Sequence, residues 1–151
     1  MTSNYQDIYS RFLGRIRDYD FLNLSEPDAS SQMREWLQDA ISEPYIYSMF
    51  SSVVCDDEIA TIEYELKNSI DEYSDKNLVE KVLACQMVVE FLNPKVVNTS
   101  TLNQMISNSK ETKFYSQASH LQELRALLEE SKAEARKLLR DKSYVHNSYL
   151  G

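Results

Sequence analysis

The chain has 151 residues, 42% hydrophobic and 26% charged, with a net charge of −8. That length suits one domain around one core, and the negative balance argues against a nucleic-acid-binding domain as a whole. Only two glycines and three prolines occur, which favours long helices over a many-turned β architecture.

In chain order, the spacing of Ile8, Phe12 and Ile16, with Tyr5 and Tyr9 beside them, predicts a first helix over about Asn4–Arg17. A connector, "DYDFLNLSEPDASS", follows. Ser25 is the candidate N-cap of a second helix, with Pro27 and Asp28 in its first turn. Met33, Trp36, Leu37, Ala40 and Ile41 then share one face, and Pro44 closes the helix. The stretch 45–74 stays open. "TIEYELK" alternates Ile62, Tyr64 and Leu66 against Thr61, Glu63, Glu65 and Lys67, the strand period. Ile59, Ile62 and Leu66 also fit a helix through Asp56–Ser69.

Ser74 or Asp75 is expected to cap the next helix, "KNLVEKVLACQMVVEFL", which is expected to end before Asn93-Pro94. Its apolar residues wrap most of the circumference, the mark of a central, buried helix. The core is expected to centre on Leu78–Leu92, packed by Phe12, Trp36, Leu37 and Leu121. A short helix is expected near Thr101–Ser107. The last helix is expected from Ser116 or Gln117 to about Lys142, striped by Ala118, Leu121, Leu124, Leu128, Ala135 and Leu138. Beyond Leu128 the stripe thins to small and charged residues. That distal half is expected to project or to pack on another chain. The fold class is therefore mainly α: a small helical bundle with a long C-terminal helix. Residues 1–142 form the domain and 143–151 an extended tail, with a short hairpin as one option for 45–70.

Charge is uneven. Residues 109–151 hold eight Lys/Arg against six acids, net +2, which leaves −10 on residues 1–108. A near-neutral arm on an acidic body can serve contacts between like subunits, although a solvated helix pairs its charges in any case. Cys85 sits in an apolar run and reads as a buried thiol. Two cysteines do not make a disulfide scaffold, so a reducing compartment is expected. "MTSNYQDIYSRF" has no apolar signal core and no stretch is long enough to span a membrane, so an intracellular site of synthesis is expected.

Motifs for chemistry are lacking. His120 and His146, the two histidines, have no nucleophile or acid at informative spacing, and no CxxC or HxxxH pair suggests zinc. The acids of "CDDE" (Cys55–Glu58) could gather a divalent ion, but a solvated turn explains them as well. Asn98-Thr99-Ser100 matches a glycosylation sequon, yet in a non-secreted protein it reads as a helix cap. No enzyme, cofactor or metal is expected.

Three segments carry a resemblance: "RFLGRIRDYDFLNL" (Arg11–Leu24), "MVVEFLNP" (Met87–Pro94) and "KFYSQASHLQELR" (Lys113–Arg125). In texture and order the chain resembles proteins of the head–tail gene block in tailed bacteriophages of Gram-positive hosts, in the head–tail connector or adaptor class. Residues 45–76 have no counterpart in that likeness. The resemblance implies a structural virion protein, made in the bacterial host cytoplasm and located in the neck. It implies a homo-oligomeric ring below the portal protein, commonly twelvefold. Such a ring surrounds the DNA channel without specific DNA binding and recruits the next neck or stopper protein. It also implies that the C-terminal segment docks on the portal, which assigns that role to Tyr144, Val145, His146, Asn147, Tyr149 and Leu150. Lys132, Arg136, Leu139 and Arg140 are the expected subunit-interface residues. Two alternatives stay open: another neck component, such as a stopper or tail-completion protein, and a small phage-encoded helical regulator with a single protein target.

Overall fold

A computed structural model describes residues 1–16, 26–106 and 111–145, with side chains over 1–16, 28–97 and 121–142. Its elements run β1 (Thr2–Asn4), α1 (Tyr5–Leu13), α2 (Glu26–Ser42), α3 (Pro44–Tyr47), β2 (Phe50–Asp56), β3 (Thr61–Leu66), α4 (Glu72–Ile106) and α5 (Glu111–Val145). The fold is mainly α with one small sheet.

The open question in 45–74 resolves as an antiparallel hairpin. β3 lies in the middle of a three-stranded sheet of order β1-β3-β2. Ser3 faces Ile62 and Val53 faces Tyr64 across the two ladders. Ile62, Tyr64 and Leu66 are buried while Glu63 and Glu65 are exposed, so the alternation of "TIEYELK" is a half-buried strand. Ala60 closes the turn at φ 53°, in the left-handed region. Its carbonyl accepts the Tyr5 N–H at 2.9 Å, which ties the turn to the start of α1. The first helix is correspondingly shorter than expected. Asn4, expected to open the helix, pairs with Thr61 of β3 instead, and α1 runs from Tyr5 to Leu13.

α4 is the central element. Val79, Val82, Leu83, Ala84, Met87, Val88, Val89, Phe91 and Leu92 are all buried, on every side of the helix. α1 contributes Tyr5, Ile8, Tyr9 and Phe12, and α2 contributes Met33, Leu37, Ala40 and Ile41. Phe12, Trp36 and Phe91 meet as an aromatic trio with centroids 5.1–5.8 Å apart, two of the contacts edge-to-face. Each large apolar side chain buried here contributes roughly 1.5–3 kcal/mol. The expected core centre is thus observed, with Leu121 buried on α5.

The helix boundaries need correction. α4 begins at Glu72, because the Asp71 carboxylate accepts the Ser74 N–H at 2.7 Å and caps the first turn. Asp75, expected as a cap, lies inside the helix. α4 does not stop before Pro94; it passes through it and absorbs the short helix expected near 101–107. Proline removes one donor, so the Glu90 carbonyl loses its usual helical partner. Pro94 is exposed, and packing of Phe91 and Leu92 one turn earlier holds the axis across it. The ammonium of Lys95 covers the Phe91 ring at 5.0 Å. α5 starts earlier than expected and runs past Lys142 to Val145, so the segment beyond it is 146–151.

α4 and α5 thus form an antiparallel helical hairpin, each arm 35 residues and about 50 Å long at 1.5 Å per residue. The expectation that the C-terminal half of α5 projects is overturned. Leu128, Ser131 and Ala135 are buried, and Leu138 and Leu139 pack against the core. Small residues at 131 and 135 bring α5 close to α4, which a hydropathy stripe reads as thinning.

Candidate interaction surface

The base of the hairpin is set by buried charge. Asp75 is 0% exposed, and the Lys142 ammonium donates to its carboxylate at 2.8 Å. The Ser69 hydroxyl donates to the same group at 2.6 Å and the Ile70 N–H at 3.2 Å. Burial alone would push the Asp75 carboxyl up, but the bonds from Lys142, Ser69 and Ile70 outweigh it and hold it below the usual carboxylate range. The pair joins the first turn of α4 to the last turn of α5.

A second tie lies two turns back along α5. Arg15, just after α1, grips Glu134 in a two-pronged fork at 2.7 and 3.0 Å. The hydrogen bond from Arg15 holds the Glu134 carboxyl low. Cys85 lies beside this pair, and burial pushes its thiol up to about 11. That is a packed thiol rather than a nucleophile. Arg11 reaches α4 as well: its guanidinium donates to Asn77 at 2.6 Å and lies 3.4 Å from the buried Glu80.

The four expected subunit-interface residues separate. Lys132 pairs with Glu129 one turn away at 3.8 Å. Arg136 lays its guanidinium over the Tyr45 ring at 5.3 Å, and the Tyr45 hydroxyl donates to Gln86 on α4. Leu139 packs on the core and Arg140 is exposed. So Arg136 and Leu139 are engaged within their own chain. Of the expected docking residues, Tyr144 and Val145 form the last backbone of α5, with side chains outside the described residues. His146, Asn147, Tyr149 and Leu150 lie wholly outside them.

Around the base of the hairpin, Tyr73 is 84% exposed and Ile70 46% exposed, on either side of Asp71. Both flank the point to which Lys142 ties α5. The periodicity of α4 does not mark them, because they precede its apolar run. The signal in the sequence was the apolar pair itself, set among polar residues in "NSIDEYSD".

Two of the three acids of Cys55–Glu58 have structural duties. Asp56 accepts the N–H groups of Glu58 and Ile59 at 3.0 and 3.3 Å. Asp57 accepts the Tyr5 hydroxyl at 2.7 Å. Burial first, then this bond, pushes the Tyr5 hydroxyl well above the usual tyrosine range. No group of three or more metal-type ligands gathers among the described residues. No helix among them is long and apolar enough to cross a membrane.

Comparisons of the chain with protein-family models, with curated proteins and with solved structures return no significant match.

Proposed function

We propose that this is a non-enzymatic structural protein of the phage neck, a head–tail connector that assembles as a ring below the portal. The support has two parts. One is the resemblance carried by Arg11–Leu24, Met87–Pro94 and Lys113–Arg125. The other, which carries the reading, is the geometry of the hairpin base. Lys142 and Asp75 tie the end of α5 to a fixed point of the body, beside exposed Tyr73 and Ile70. A helix end held at a rigid point next to apolar and aromatic surface is suited to anchoring on a neighbour. Ordering a short segment costs roughly 1–2 kcal/mol per residue, so one copy binds weakly. Repetition around a ring makes weak copies hold together. The acidic body suits a channel through which DNA slides.

The test is deletion of His146–Gly151, which leaves α5 whole, followed by thermal melting and co-sedimentation with the purified portal of the same gene block. The expected result is an unchanged melt and lost co-assembly. Co-assembly at the wild-type level would overturn the docking role. Failure of the full chain to associate with the portal would overturn the connector reading.

A further inference from the structure

The side of α5 turned away from α4 carries its charges in a fixed order. Leu128, Ser131 and Ala135 are buried against the body. On the opposite side, Ala126, Ala133 and Arg140 are exposed and line up, because each spacing of seven residues is close to two turns. Glu129 and Arg136 run along one flank of that line, and Glu130 and Lys137 along the other. All four are exposed among the described residues, the Glu129 side chain to 74%. Each flank is therefore acidic toward the start of α5 and basic toward its end. Contacts within the chain leave that order in place. Glu129 meets Lys132 only at 3.8 Å, and Arg136 stays exposed while it rests on Tyr45.

We propose that a second copy of this chain packs on this side, the two α5 helices antiparallel about a two-fold axis at Ala133. A two-fold axis across an antiparallel pair sets each flank against the same flank of the other helix, in reversed order. Glu129 then meets Arg136 of the second copy, and Glu130 meets Lys137 of the second copy. Symmetry makes each contact twice. Ala133 lies against its own counterpart, and a small residue there lets the helices approach to about 8 Å.

Charge selects this register. A parallel pair in register sets each of the four charged residues against itself. An antiparallel axis between Glu129 and Glu130 sets each of those acids against its own copy, and an axis between Arg136 and Lys137 does the same with the bases. An axis at Ala126 sets Glu123 against Glu130. The Ala133 axis instead matches acid with base on both flanks. The side is thus complementary to its own reverse, which a second copy supplies and a uniformly acidic or basic surface does not. A two-fold contact closes on itself and builds no ring, so this dimer is a state apart from the neck assembly proposed above and does not depend on it.

The test uses the full chain without a portal. Sedimentation under reducing conditions is expected to show mass rising from monomer toward dimer with concentration. The rise is expected to shrink in about 1 M salt, which screens exposed charge pairs. Lys137→Glu makes two contacts of each dimer repulsive and is expected to weaken association about tenfold or more with an unchanged melt. Lys67→Glu, the same change of charge at an exposed site outside α5, is expected to leave association unaltered. Exchanging the charges, Glu130→Lys with Lys137→Glu, is expected to restore the dimer. Cross-linking reads the register. Ala133→Cys in a Cys55→Ser background is expected to form a covalent dimer on oxidation, because closely packed helices bring the two positions within disulfide reach. Ala126→Cys in the same background is not, since its counterpart lies about 21 Å away along the helix. A wild type that stays monomeric, a dimer indifferent to Lys137→Glu, an exchange that restores nothing, or cross-linking at 126 in preference to 133 would each overturn the proposal.

Discussion

Replacing Lys142 with methionine removes the ammonium from Asp75 while keeping most of the side-chain volume. The carboxylate is then left 0% exposed, with the Ser69 hydroxyl at 2.6 Å and the Ile70 N–H at 3.2 Å as its remaining donors. Breaking one partner out of a buried pair costs about 3–5 kcal/mol. The two surviving bonds place this case at the lower end, about 3 kcal/mol. At roughly 2–4 °C per kcal/mol for a chain of this size, the melting temperature should fall by about 6–12 °C. The pH dependence has a definite sign. Asp75 has its folded-state value depressed, with burial opposing and the donors prevailing. Its contribution is therefore complete above the unfolded carboxylate value, near pH 4, and is lost as pH falls through the lower folded value. The gap between wild type and Lys142→Met should be widest near neutrality and should narrow in acid. Thermal melts read by circular dichroism from neutral pH down to about pH 3 measure both effects. A variant melting within about a degree of wild type at neutral pH would refute the reasoning, as would a gap that widens in acid. The double variant Lys142→Met, Asp75→Leu should melt above the single one, because no uncompensated charge remains.

Three further outcomes follow from the packing. Leu83→Ala, at a fully buried site of α4, should cost about 2–5 kcal/mol in chemical denaturation; a cost under about 1 kcal/mol would show the site to be peripheral. Pro94→Ala should raise stability by up to about 3 kcal/mol, since it restores a helical donor at an exposed position; a lower melt would mean that α4 is not continuous there. Ala60→Gly should stabilise by about 1 kcal/mol, because Ala60 sits at positive φ and glycine carries no Cβ penalty there; destabilisation would indicate that the gain in unfolded-chain entropy outweighs the relief.

Much of the fold was legible in the sequence because it rests on local periodicity. The apolar face of Met33, Leu37, Ala40 and Ile41 forms α2 as its spacing demands, and the wrapped pattern of 78–92 is the buried centre of α4. These patterns depend on a side chain and its neighbours three or four places away, which any window of sequence contains. The candidate surface was less legible. The tyrosine-bearing terminus drew notice by composition alone, whereas exposed Tyr73 and Ile70 gain meaning only from what lies beside them.

The remainder needed the tertiary structure. Residues 56–69 carry strand and helix periods at once, and pairing with Met1–Asn4 and Phe50–Asp56 decided for the strand. One partner lies some sixty positions away, so no local signal could weigh it. Pro94 reads as a stop from propensity, yet the packing of Phe91 and Leu92 before it and of Val96 after it carries the helix through, against a cost of about 3 kcal/mol. The stripe of α5 thins after Leu128 because close helix contact calls for small residues, Ser131 and Ala135, which hydropathy scores as weak. Lys142, Arg15 and Arg11 look like solvated charges in sequence. Only the fold brings each to a partner more than sixty residues away, Asp75, Glu134 and Asn77. Long-range charge pairing leaves no trace in a single sequence, because its partners are fixed by the packing of the elements that carry them.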